Sequence, residues 1–138
     1  MTERGPGLQG HMQAKYCARC GRVMTYRKRW ADSWDDVKYC SKTCRSRRIQ
    51  AADLALEAAV VELLRARPGR SDISPSEVAQ RVGGEEWQSH LEESRMAARR
   101  LAHRGVVEIT QHNQTVDIST ARGPIRVRRG PQFPPKKP

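Results

Sequence analysis

Long apolar runs are missing from this sequence. No stretch approaches the roughly 20 apolar residues of a membrane span, and the opening MTERGPGLQG lacks the apolar centre of a secretory signal. Phenylalanine occurs once, and all aromatics together make up 5% of 138 residues. A chain of this length forms one ordinary domain or two very small ones, neither with a large core, which weighs against an enzyme built around a deep pocket. Histidines are few and scattered (His11, His90, His103, His112), none with a carboxylate and a nucleophile at readable spacing, so a protein without catalytic activity is expected. Cysteine is absent beyond Cys44. With no membrane span or signal, the expectation is a cytoplasmic monomer, in a compartment where structural disulfides are rare and clustered cysteines more often bind metal.

Positive charge, by contrast, is abundant, and its distribution matters more than its total of +11. Residues 15–48 carry eleven Lys and Arg against three acids, residues 49–121 carry eight against eleven, and residues 122–138 carry six against none. Any electrostatic footprint therefore belongs to the first third and to the C-terminal end. Residues 1–14 read as a disordered lead-in, 15–48 as one module, 49–129 as a second, and 130–138 as a disordered, basic, proline-rich tail.

The first module contains CARCG and YCSKTC. Cys17 and Cys20 followed by Gly21 have the form of a metal knuckle, and Cys40 and Cys44 supply a second pair. Four soft ligands with no vacant position suit one structural zinc ion. A redox pair would need a neighbouring βαβ pattern, which the sequence lacks. Ser41 can cap a helix starting at Lys42, placing Cys44 in its first turn. Knuckle, hairpin and ligand-bearing helix start together predict a treble clef. Four thiolates around a divalent ion leave net negative charge, which Lys15, Arg19, Lys38, Lys42 and Arg45 can balance. Arg27, Lys28, Arg29, Arg47 and Arg48 exceed that need. With Lys42 and Arg45 they are candidates for nucleic-acid contact, with a solvated hairpin tip or a protein contact as alternatives for Arg27–Arg29. Trp30 and Trp34 are either the core of this small module or stacking and interface residues.

The second module turns helical after Ile49. Leu56, Val60, Leu63 and Leu64 recur at helical spacing until Pro68-Gly69, and the link around Arg47–Ala52 is open to a continuous helix. Ser74, Pro75 and Glu77 predict a capped second helix ending at Gly83-Gly84. A third helix is expected over 85–103, with Trp87, Leu91, Ser94, Ala98 and Leu101 facing inward. Strands over 106–110 and 115–119, joined through His112-Asn113, and an extended piece over 125–128 complete the order of a winged helix-turn-helix. The expected fold is thus a small α+β protein of two modules, a treble-clef zinc finger followed by a winged helix. Arg99, Arg100 and Arg104 on the third helix are either phosphate contacts or a response to the helix dipole. Arg126, Arg128 and Arg129, with Arg122, Lys136 and Lys137 around them, form a polybasic end that either binds phosphate or solubilises.

CxxCGR, the RKxW stretch and WxxVKYCSxxCR, carried by Cys17–Arg22, Arg27–Trp30 and Trp34–Arg45, resemble a small uncharacterised bacterial family of treble-clef fingers, and more distantly the gyrase-inhibiting zinc proteins. PSEVA at Pro75–Ala79, Trp87, Arg95, Ala98, Leu101 and RGPIR at Arg122–Arg126 resemble a second uncharacterised bacterial family, of winged-helix type. Ser74 departs from that pattern's cysteine before the proline. These resemblances imply the architecture and no substrate. The functional expectation is a zinc protein that binds nucleic acid, DNA before RNA, through phosphate contacts of finger and tail. The alternative is a protein-interaction adaptor on a polymerase, topoisomerase or ribosome.

Overall fold

The computed structural model describes residues 15–117 and 121–135, with the Arg29 side chain left aside. The expected lead-in, the end of the second body strand, Lys136 and Lys137 lie outside the described residues. The architecture is small, α+β and two-module. No helix among the described residues is long and apolar enough to cross a membrane.

In the first module, β1 (Lys15–Tyr16) pairs antiparallel with β2 (Val23–Met24) around the Cys17–Cys20 turn. Two short 3-10 turns, Lys28–Trp30 and Trp34–Asp36, lead to α1 (Lys42–Arg47). Aliphatic residues are too few for a core here, and aromatics replace them. Trp34 is 2% exposed, with Tyr26 edge-on at 5.7 Å and Trp30 stacked on it at 5.5 Å. The Lys15 ammonium donates to the Trp34 carbonyl and sits 4.8 Å from the centre of its ring. Trp34 is thus core, whereas Trp30 stays half-buried. Lys15 braces the tryptophan and is not engaged at the sulfurs.

The helices of the two modules are separate. Arg48 ends α1 at φ 54°, and α2 (Ala51–Arg65) restarts where the Gln50 amide donates to the Asp53 carboxylate at 2.8 Å. A left-handed residue cannot continue an α-helix, so the link is a bend.

In the body, α2 packs with α3 (Pro75–Gly83) and α4 (Leu91–His103). The cap of α3 is reciprocal: the Glu77 amide donates to Ser74 Oγ at 3.2 Å, and the Ser74 amide donates to the Glu77 carboxylate at 2.8 Å. The third helix begins later than its pattern suggests. Gly84 takes φ 59° and Glu86 leaves helical geometry, so 84–90 is an irregular 3-10 run, and Trp87 is half-buried outside the core. Leu56, Val60, Leu64, Val78, Ala98 and Leu101 form the helical side of the core.

Its other side is a four-stranded antiparallel sheet ordered β3-β6-β4-β5, with β3 Asp72–Ile73, β4 Val107–Gln111, β5 Gln114–Thr115 and β6 Arg126–Arg129. His112 and Asn113, both at positive φ, make the two-residue turn that matches strand twist. Ile109, Val127 and Ile73 alternate inward. The stretch expected to be a disordered tail is tied down through Phe133: the Gly130 amide donates to the Val106 carbonyl, the Gln132 amide donates to the Gly105 carbonyl, and Phe133 packs on the core.

Candidate metal centre and the basic surface

The CxxCG turn places its backbone to serve two neighbours. The Gly21 amide donates to the Cys17 carbonyl at 3.0 Å, closing the turn, while the Cys20 amide approaches Cys17 Sγ at 3.5 Å. Cys40 and Cys44 arrive from the start of α1, where Ser41 Oγ accepts from the Cys44 amide at 3.2 Å. The four sulfurs lie within 4.8 Å of one another, with Cys20–Cys40 at 3.6 Å and Cys40–Cys44 at 3.7 Å. Tetrahedral thiolate coordination of zinc puts sulfurs about 3.8 Å apart. The site therefore fits one metal ion with four soft ligands, consistent with a structural zinc.

Crowding also shows in the acidities. A hydrogen bond from Cys20 holds the Cys17 thiol down at about 4, and the same bond pushes Cys20 upward. Burial, before other causes, pushes Cys40 up as well. Such a set loses its later protons only against a compensating cation. Part of that compensation is built in. Arg19 Nη1 donates to Cys44 Sγ at 3.5 Å; burial opposes its charge, but the bond to Cys44 and the charge there outweigh it and raise the Arg19 pKa. Of the counter-charges expected from sequence, Arg19 takes this role, while Lys38, Lys42 and Arg45 are exposed.

The knuckle's opposite face meets α4. Arg100 donates to the Arg19 carbonyl, Arg99 to the Cys20 carbonyl at 3.1 Å, and His103 Nε2 to the Gly21 carbonyl. Three consecutive carbonyls thus accept from three side chains of one helix. Burial keeps His103 below the ordinary imidazole range, against the opposing pull of the Gly21 bond, so the ring is the neutral donor; it stacks on Tyr16 at 3.3 Å. Gly21 stands at φ +77°, and a Cβ there would come 2.5 Å from Arg99 Cβ. Only glycine permits both this backbone and this approach.

Arg100 is 5% exposed and needs an acid. Glu57 on α2 supplies it, accepting from Arg100 Nε at 2.6 Å and from Arg104 Nη2 at 2.7 Å, while the Asp53 carbonyl accepts from Arg100 Nη2 at 3.2 Å. Sequence reading missed this partnership. Its signal was an acid, Glu57, on the same stripe of α2 as Leu56 and Val60, where an unpaired charge is not tolerated.

Six of the basic residues expected at a phosphate, all of them in the body, consequently have other partners. Arg99 and Arg100 are buried against the finger and have no face for a ligand, and Arg104 is held by Glu57. In β6, Arg126 pairs with Asp72 at 2.6 Å, Arg128 with Glu108 at 2.9 Å, and Arg129 donates to the Leu64 and Arg67 carbonyls. Strand register explains this: β6 lies between β3 and β4, each of which sets an acid beside an arginine. In the finger, Arg27, Lys28, Lys38, Lys42, Arg45, Arg47 and Arg48 are exposed and have no acid partner among the described residues. Three of them, Lys38, Lys42 and Arg45, line a groove of about 600 Å³ with Trp30 and Tyr39, beside Cys40.

Comparison with known proteins follows the same division of the chain. No curated protein matches it. Residues 9–47 match the family described as an uncharacterized protein conserved in bacteria (DUF2256). Residues 53–130, more than half of the chain, match the family described as protein of unknown function (DUF3253), and it is to this family that the chain belongs.

Proposed function

We propose that the chain is a non-enzymatic zinc protein that binds nucleic acid, DNA before RNA, through its finger. In this reading the first module is a treble clef, with knuckle, β1-β2 hairpin and the ligand-bearing start of α1, and the body is a winged helix built from α2–α4 and the β4-β5 hairpin. The observation that carries the proposal is the contrast in partners. Seven bases of the finger (Arg27, Lys28, Lys38, Lys42, Arg45, Arg47, Arg48) face solvent without an acid among the described residues. Body arginines are largely neutralised in place. Phosphate binding then rests on the finger, and the third body helix acts as the finger's seat.

Salt titration tests this. Affinity for a labelled oligonucleotide should fall linearly in log–log form with salt. Arg47→Glu with Arg48→Glu should make that slope shallower by about 0.7–0.9 for each phosphate the protein no longer neutralises, with zinc content unchanged. A zinc-loaded protein that binds neither single-stranded nor duplex DNA at low salt refutes the proposal. A second reading, docking on a protein, draws support from Ile49 and Leu54, exposed apolar side chains that follow Arg47 and Arg48.

A further inference from the structure

We infer that the groove beside Cys40 is a base-binding site for single-stranded nucleic acid, an inference that rests on the phosphate-binding role proposed for the finger. Its volume of about 600 Å³ lies inside the range of roughly 300–1,000 Å³ typical of small-ligand clefts. The lining combines three chemistries. Trp30 and Tyr39 are half-buried rings, and Trp30 is stacked on the buried Trp34 at 24° between planes, so its position is fixed before a ligand arrives. Rigid aromatic platforms hold bases without strong sequence preference. Lys38, Lys42 and Arg45 bring positive charge to the same groove. Asp36 and Ser33 add acceptors.

The carboxylate is the telling member. A groove that tracked only a phosphate backbone would gain nothing from Asp36, which repels it. A groove that admits a base uses the carboxylate to accept from amino or imino groups on the base edge. Those edges are occupied in a duplex and open in a single strand. The bases of the second half of α4 add nothing to a duplex contact, because Arg99, Arg100 and His103 are turned to the finger's backbone.

The experiment uses the full zinc-loaded chain, a 12-nucleotide single-stranded DNA, its duplex, and poly-glutamate, followed by tryptophan fluorescence and anisotropy. Single strand should bind at least about tenfold tighter than duplex and quench tryptophan emission. Lys42→Glu with Arg45→Glu should remove most of that preference. Trp30→Phe, which leaves a smaller ring in the groove, should weaken single-strand binding and lose most of the quenching. Zinc stoichiometry shows that each variant is folded. Equal affinity for single strand and duplex, without quenching and indifferent to the Lys42 and Arg45 changes, overturns the inference and leaves the phosphate-binding proposal standing. Absence of binding to either nucleic acid overturns both. Quenching by poly-glutamate and not by single-stranded DNA overturns the inference in favour of an acidic protein partner.

Discussion

In the body, Arg67, Arg81, Arg95, Arg99, Arg100, Arg104, Arg126 and Arg128 each lie within ion-pair distance of an acid of the same module. In the finger, Arg27, Arg45, Arg47 and Arg48 have no such partner among the described residues. Both regions hold many arginines, yet in the body only Arg65, Arg70 and Arg122 are exposed without an acid partner among the described residues. A net charge of +11 therefore overstates the binding surface: most of the body's arginines go into holding sheet, helices and finger together, and most of what remains is on a module of some thirty residues. The two modules also differ in what holds each together, thiols and aromatic rings in the finger and aliphatic side chains in the body.

Metal removal should break this comparison most severely. Structural zinc sites contribute about 10–16 kcal/mol of apparent binding energy, which is folding energy for so small a module. Chelation, or Cys17→Ser with Cys44→Ser, should abolish the near-UV signal of Trp34 while the helical far-UV signal of the body survives. Loss of both in one transition would show that the body cannot stand without its partner.

Arg100→Ala comes next. It leaves Glu57 buried without its closest partner, and breaking a buried pair costs about 3–5 kcal/mol. Urea unfolding of the body should show a loss of that size, against less than about 0.5 kcal/mol for Arg47→Ala or Arg48→Ala on the open surface. Similar effects at Arg100 and Arg47 would erase the distinction between structural and free arginines.

Glu77→Gln sharpens the comparison at the smallest scale. The hydrogen bond from Arg67, ahead of its other causes, holds the Glu77 carboxyl below its ordinary 4.5. A depressed carboxyl adds stability above its unfolded pKa and loses it as pH falls through the folded one. The variant should cost about 1–2 kcal/mol at neutral pH, and its difference from the parent should vanish in acid. A constant difference across pH would mean that the charge of Glu77 is irrelevant to the cap.

Local features were the legible ones. Each of the two cysteine pairs, the Ser41 and Ser74 caps, the His112-Asn113 turn and the apolar stripe of α2 depends on residues a few positions apart, and each is where its pattern placed it. The fate of the arginines was not legible, because a partner 43 or 54 positions away, as for Arg100 and Arg126, leaves no local trace. Acids before bases along 85–104 suited a dipole argument as well as a phosphate one, and the structure adds a third use, the seating of the knuckle. Two-residue β3 was unreadable because its pairing with β6 is made by the sheet and not by its own sequence.

One turn, Cys17–Gly21, gives its two sulfurs to the four-cysteine cluster and the carbonyls of Arg19, Cys20 and Gly21 to α4. Two binding events that order the same three residues share a free energy, and thermodynamic reciprocity makes the exchange run both ways. Substitutions at Arg99 or His103, which touch no ligand sulfur, should therefore loosen the hold on zinc, and zinc in turn should set how firmly the finger is aimed from the body. The affinity of the metal site is a property of the whole chain, and a finger excised at the Arg48 bend should bind its ion more weakly than the intact protein.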